Sequence, residues 1–405
     1  MSTADGPNVL SGIRVLDVAS YIAAPVAATI MADYGADVIK VEAPGGDAYR
    51  RINDNPGLPV TDAMFHWHVT NRNKRSLALD LTNPKGRSVL ERLVAQTDVF
   101  ITNFPLAARG RLKLNYEDIA ALNPKLIYAS LSAYGEHGEE APNPGFDSTA
   151  YWARSGLMQM VRPSPESDPA RSMPGQGDHP TGVALFGAIM LALFDRQRTG
   201  LGQHVHTSLL ANGIWANAYS AQAAMSGASM PMRPRREQMG NALTNHYRCA
   251  DQRWFILTLL NQDRDWPRLV EVLEKPELAQ DPRFATRAAR NENAHALCAV
   301  LDQRFSEHDL AYWRERLHAA GLVIGIVGTN DDIPNDPQLH ANGTLRAAKG
   351  VDADHVVDSP LWLEGTNKRP VVPAPQLSEH RDEILEELGL TADDIGALEA
   401  TGAFG

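Results

Sequence analysis

Cysteine is scarce: 405 residues contain two, Cys249 and Cys298. They show no metal-ligand spacing and read as buried apolar thiols of a reducing compartment, not as a disulfide framework. Positive charge is short as well. Lys and Arg number 38 against 49 Asp and Glu, a formal net charge of −11. That argues against a nucleic-acid partner, which calls for a basic surface, but leaves room for one basic pocket. No apolar run reaches the length of a membrane span, and Met1 to Asn8 lacks the basic-then-apolar pattern of a secretion signal. A cytoplasmic protein with no membrane partner is expected. Several catalytic signatures are missing too. There is no G-x-S-x-G elbow and no Walker loop. The 13 histidines form no H-x-x-H, H-E-x-x-H or Cys–His pattern, so no metal is expected.

What is present is a repeating β-α-β pattern. Gly12 to Ser20 reads as a buried strand, Ala23 to Tyr34 as a helix ended by Gly35, and Asp37 to Glu42 as the next strand. Such units build a parallel sheet with right-handed crossovers, and ligands sit beyond its strand C-termini. Glu42 closes its strand as a ribose-binding acid would. Yet Ser20-Tyr-Ile-Ala-Ala-Pro25 stands where G-x-G-x-x-G would be needed, which excludes the usual dinucleotide site. The alternation continues to about residue 135, with a helix from Pro84 to Gln96. His66-Trp67-His68 suggests a strand or loop with one face buried, and Ala211 to Met225 one helix. Near residue 226 the character changes to a basic, proline-broken linker, then a hairpin over Tyr247 to Leu259. Two further helices are expected in the tail, from Glu379 and from Ala392.

Two features invite chemistry. Arg72, Lys74, Arg75, Arg109 and Arg111 lie near strand ends and read either as surface charge or as a phosphate-binding patch. The octapeptide Gly175-Gln-Gly-Asp-His-Pro-Thr-Gly182 sets an acid in a glycine-framed turn before a long apolar helix. Asp178 there reads either as an N-cap or as a nucleophile kept ionised by the helix end.

The order of motifs resembles the family III CoA-transferases across nearly the whole chain. The opening Leu10-Ser-Gly-Ile-Arg-Val-Leu-Asp17 with Ala24-Pro25, Gly35 to Glu42 with Pro44-Gly-Gly-Asp47, and Asn73-Lys-Arg-Ser76 carry the likeness. So do Asp98 to Phe104, Asn123 to Ser130, Gly177-Asp-x-x-Thr-Gly182, Arg198 to Gln203 and Pro375 to His380. The resemblance implies an α/β fold: a large Rossmann-like domain, its parallel sheet built from both chain ends, plus a smaller α+β domain. Residues 1–226 would begin the large domain, 227–325 would form the small one, and 326–405 would return to the large one. A homodimer of interlocked subunits is implied too. Asp178 falls on the family's nucleophile. Tyr21, Ile22 and Ala23 fall on the loop that meets CoA, Lys74 and Arg75 on phosphate contacts, and Asn103, Phe104 and Arg111 on the adenine and pyrophosphate side. Ala43 stands where the family often has a CoA-binding arginine. Gly175, Gly177, His179, Phe146 and Trp152 would line the acyl group.

By that resemblance the chain transfers CoA from an acyl-CoA to a free carboxylic acid, through an aspartyl anhydride and an aspartyl-CoA thioester. CoA thioester is a substrate, and no resident cofactor is needed. The α-methylacyl-CoA racemases share the fold but carry Gly-His-Asp where Gly145-Phe-Asp147 stands here, and Phe146 cannot move a proton. A non-catalytic acyl-CoA-binding protein is the other alternative, and the presence of Asp178 weighs against it. The local residues look most like the branch acting on aryl or 2-hydroxy acids.

Overall fold

A computed structural model describes residues 8–405. The chain divides into two compact units. One takes in residues up to Met158, Arg171–Ser226 and Pro337–Gly405; the other takes in Gln159–Ala170 and Gly227–Asp336.

In the first unit the elements run β1 (Arg14–Asp17), α1 (Ala23–Asp33), β2 (Asp37–Glu42), α2 (Phe65–Asn71), β3 (Arg75–Ala78), α3 (Pro84–Val94), β4 (Val99–Thr102), α4 (Leu106–Leu112), α5 (Tyr116–Ala120) and β5 (Ile127–Ser132). A short α6 (Leu157–Met160) runs from the first unit into the second, and the first unit continues with α7 (Asp178–Thr199), β6 (His204–Ser208), α8 (Leu209–Ala216) and α9 (Ala218–Met225). All six strands pair in parallel, in the order β3-β2-β1-β4-β5-β6. Strands covered on both faces need apolar side chains on both. Val15-Leu16, Val38-Ile39, Val99-Phe100-Ile101 and Ile127-Tyr128-Ala129 supply them, all buried. The order reverses between β1 and β4, and the crevice beyond those two strand ends is where such sheets hold ligands.

α1 and α7 cross on one face at very short range. A Cβ on Gly182 of α7 would lie 2.5 Å from the Ala23 carbonyl oxygen of α1, so only glycine fits. On the other face, Ile384, Leu385 and Ile395 of the tail join Leu16, Ile39, Leu77 and Leu90 in one apolar cluster.

Three sequence expectations need correcting. The sheet is not built from both chain ends: every one of its strands lies between residues 14 and 208. Prolines 370, 373 and 375 remove backbone donors, so the tail pairs only at isolated points along β3. The His380 N–H donates to the Ser76 carbonyl at 3.1 Å, and the Ala78 N–H to Ser378 Oγ at 3.1 Å. The tail thereby closes an otherwise open sheet edge. His66-Trp67-His68 lies in helix α2, because two alternations are too few to separate a period of 2 from one of 3.6. The long helix over 211–225 is two helices, broken at Asn217, whose amide donates to the Ser155 carbonyl at 3.0 Å.

The second unit has an antiparallel sheet, β7 (Thr244–Arg248), β8 (Trp254–Thr258) and β9 (Ile324–Ile326), in that order. Tyr247, Phe255, Trp266, Phe305 and Trp313 fill its core. Cys249 and Cys298 are buried and unbridged, as the sequence suggests. Among the described residues no helix is long and apolar enough to cross a membrane.

Candidate active site

The loops beyond β1 and β4 are tied together. Asn103 accepts the Ser20 N–H through Oδ1 at 2.9 Å and donates through Nδ2 to the Ser20 carbonyl at 2.8 Å. Tyr21 follows with φ +61°, a left-handed conformation that costs a non-glycine residue on the order of 1 kcal/mol. Asp47 holds it there, accepting the N–H groups of Tyr21 at 3.3 Å and Tyr49 at 3.0 Å. Ile22 and Ala23 are buried at the start of α1. Behind them lies a buried charge group: Lys40 Nζ is 3.0 Å from Asp47 and 3.8 Å from Asp17, and Lys74 Nζ is 2.8 Å from Asp17.

The start of α7 packs against this loop. A Cβ on Gly175 would lie 3.5 Å from the Ile22 Cδ1, and one on Gly177 would lie 2.5 Å from the Tyr151 ring. Asp178 is the first residue of α7; Gly177 occupies the cap position, and no side chain caps the helix. The N-cap reading therefore fails. The Asp178 carboxylate is half-buried, with no hydrogen bond from protein and no ion pair among the described residues. Burial, and then the charge of Asp147, push its pKa up to about 7. Burial and a like charge thus work against the partial positive charge of the helix end. At pH 8 roughly nine-tenths of such a group is still ionised.

Three aromatic rings cluster at the Tyr21 loop. Tyr21 lies 6.2 Å from Tyr49 and 6.0 Å from Phe146, edge-on to the latter. Phe146 is exposed at the rim, whereas Trp152 is buried. Tyr49 is a residue the sequence reading missed. Its phenol is pushed well above its usual range by burial, by Asp178 and by Asp47, so it stays protonated and able to donate. Only its place two residues after Asp47, in the loop after β2, hinted at this.

The basic residues are mostly committed elsewhere. Lys74 Nζ is fully buried and donates to Asp17, Asn71 and the carbonyls of Pro25 and Thr70. Arg75 binds Asp37, Glu383 and Glu387 at the N-terminal end of β3, away from the strand C-termini. Arg72 is locked on Asp33 and Asp358, and Arg109 on Glu136. The phosphate-binding patch expected of these four is spent on internal pairs, which burial of the cations makes obligatory. Arg111 on α4 is exposed and has no ion pair among the described residues. Phe104 packs partly against the core. Glu42 accepts from Arg50, Ser76 Oγ and the Asp47 N–H, so it has nothing left for a ribose.

His179 is exposed and lies over Gly175. With Val26, Ile30, Arg72 and Val183 it lines a cavity of 270 Å³. The charge that acts on Asp178 is that of Asp147, and His179 is not among the groups that tune it. The structure thus brings Tyr21, Ile22, Ala23, Asn103, Phe146, Gly175, Gly177 and Asp178 together, and leaves Lys74, Arg75 and Trp152 in supporting positions.

Known proteins match the chain over almost their full length. The chain is 30% identical to (R)-2-hydroxy-4-methylpentanoate CoA-transferase of Clostridioides difficile, over 96% of this chain and 97% of that protein. It is 29% identical to cinnamoyl-CoA:phenyllactate CoA-transferase of Clostridium sporogenes, over 97% and 96%. A crystal structure of a CAIB/BAIF family protein from Brucella suis superposes with a TM-score of 0.85 at 31% identity, covering 95% of this chain and 100% of that one. A description of CoA-transferase family III matches residues 10–381, and this chain belongs to that family as a CoA-transferase.

Proposed function

We propose that this enzyme moves CoA from an acyl-CoA thioester to a free carboxylic acid, with Asp178 as the covalent nucleophile. One observation carries the reading. Asp178 is a half-buried carboxylate without a cation or hydrogen-bond donor, at the start of α7 and beside the loop beyond β1. Tyr21, Ile22, Ala23, Asn103, Phe104 and Arg111 hold the CoA. Lys74 and Arg75 shape the scaffold behind it.

The ionised Asp178 attacks the thioester carbonyl, the C–S bond breaks, and CoA leaves as thiolate. The anhydride is then attacked by the thiolate at the aspartyl carbonyl, which releases the donor acid and leaves aspartyl-CoA. The acceptor carboxylate attacks that thioester and expels CoA thiolate. The thiolate returns to the acceptor acyl carbon and frees Asp178. Each tetrahedral intermediate carries an oxyanion, for which the protonated Tyr49 phenol is a donor.

For the substrate we infer a medium-sized, partly apolar acid of the aryl or 2-hydroxy class. Tyr21, Tyr49 and Phe146 offer an aromatic, partly apolar surface at the Tyr21 loop, and two of the similar enzymes are named for such acids. Assembly as an interlocked homodimer belongs to the same proposal. Leu191, Phe194, Trp215, Tyr219 and Met225 stand exposed on α7, α8 and α9, more apolar surface than a monomer usually leaves open. A cytoplasmic location is part of it as well, in keeping with two buried, unbridged thiols.

The experiment incubates the protein with acyl-CoA and a panel of aryl, 2-hydroxy and dicarboxylic acids, followed by hydroxylamine or borohydride trapping and mass spectrometry. CoA exchange with modification at Asp178 is expected. Exchange at the wild-type rate by Asp178→Ala rejects the nucleophile. Deuterium entering the α-carbon without acyl exchange points to the racemase chemistry instead.

A further inference from the structure

The turn that carries Phe146 also grips the residue before Asp178. Asp147–Ala153 form one π-type turn, a rare geometry concentrated at functional sites. It holds Gly177 from two sides. Asp147 Oδ2 accepts the Gly177 N–H at 3.2 Å, and the Tyr151 ring fills the space a Gly177 side chain would need. Asp147 is buried, with that one hydrogen bond and no basic partner among the described residues. Asp178 has no basic partner either. A buried acid beside Asp178 with no cation between them raises the energy of the ionised Asp178.

Few other titratable groups face the pair. The Tyr49 phenol faces Asp178, and His179 lies nearest along α7, with Arg72 beyond it. Among the elements packed on α7, α1 carries Asp33, which is locked on Arg72. β5 carries Tyr128, bonded to the Leu114 carbonyl. β6 carries His204, held by Ser130 and Glu136, and His206 beside it. α8 carries no titratable residue.

We propose that Asp147 is a positioning residue for the transfer: it fixes Gly177 and holds against Asp178 a negative charge whose repulsion is relieved when Asp178 is acylated. The inference rests on Asp178 being the nucleophile. In the free enzyme, repulsion raises the energy of the Asp178 carboxylate and makes it more basic. Attack on the thioester forms the Asp178 O–C bond and sends the C–S electron pair out with the thiolate. Asp178 is then a neutral anhydride, and the repulsion is gone. The aspartyl-CoA thioester is neutral in the same way. Asp147 therefore favours both covalent intermediates over the free carboxylate.

The test measures CoA exchange from about pH 5 to 9 for wild type, Asp147→Asn and Asp147→Ser, with trapping at Asp178 and thermal unfolding on the same samples. The asparagine keeps an oxygen for the Gly177 N–H and removes the charge. Its activity midpoint is expected to fall by about one pH unit or more; the serine variant, also neutral, should shift the same way and is read alone if the asparagine variant does not fold. A purely structural role lowers the rate without moving the midpoint. That outcome, with Asp178 still trapped, overturns the proposal and leaves the nucleophile in place. Failure to trap Asp178 in the wild type overturns both.

Discussion

Asp178 shows how one residue trades stability for reactivity. Burial and Asp147 raise its pKa from 3.8 to about 7, so in that window the folded state holds more protons than the unfolded one. Stability therefore falls as pH rises from about 4 to 7. Asp178→Asn removes the charge, so it should abolish exchange by roughly 10³-fold or more and stabilise the fold at pH 8. After discounting for partial exposure the gain is about 1–2 kcal/mol, and it should shrink at pH 4, where the wild-type acid is protonated. Denaturant unfolding at the two pH values checks this; equal gains at both would remove the charge explanation. Wild-type exchange should rise from the acid side with a midpoint near about 7.

Lys74 makes the opposite case. Its Nζ is fully buried against Asp17, and burial first of all lowers its pKa to about 8 despite that partner. Lys74→Met leaves Asp17 beside Lys40 alone and should destabilise the protein by about 3 kcal/mol or more. A phosphate contact would instead raise the KM for acyl-CoA at unchanged stability. Urea midpoints and KM measured on one preparation separate the two.

At the scale of elements, the contact of α1 with α7 decides where the nucleophile sits relative to the Tyr21 loop. Gly182→Ala drives a methyl against the Ala23 carbonyl at 2.5 Å, a backbone atom that cannot swing aside. The helices must separate, at a cost of about 1–3 kcal/mol. Because Tyr21 to Ala23 opens α1 and Asp178 opens α7, kcat/KM for the acyl-CoA should fall further than stability alone explains. A Gly187→Ala control on the same helix, where a Cβ meets nothing within 4 Å, should leave kcat/KM unchanged and raise stability by about 0.5–1 kcal/mol. A Gly182→Ala protein with wild-type kinetics would show that the crossing does not set the site. The strands and most helices are legible from the sequence because their causes are local. Gly35 ending α1 and the apolar runs of β1, β2, β4 and β5 are such cases. The π-type turn at 147–153 was not legible, since it forms by docking on Gly177, about 30 residues away in sequence.

At the scale of the whole molecule, the proposal of a homodimer turns on an apolar face of α7, α8 and α9. Trp215 and Tyr219 are each 81% exposed, so charging them leaves the described core untouched. A Trp215→Glu/Tyr219→Glu double variant is expected to elute as a monomer in size-exclusion chromatography with light scattering, at unchanged circular dichroism. A wild-type elution mass in the variant would place the interface elsewhere.

The sequence by itself determined the α/β class, the order of units and the turn that bears Asp178. Hydrophobic period, glycine position and charge balance are local properties, and motifs in order carry a family. Only the tertiary structure decided which charges are free. Arg72, Lys74, Arg75 and Arg109 look alike as a string of basic residues. Burial forces each onto an acid far away in sequence and leaves Arg111 open. Asp178 moved the other way: its turn suggested an ionised acid that caps the helix, and the fold puts Gly177 at the cap and gives the acid a raised pKa. Desolvation and long-range pairing are sums over the folded surroundings, and no stretch of sequence contains them.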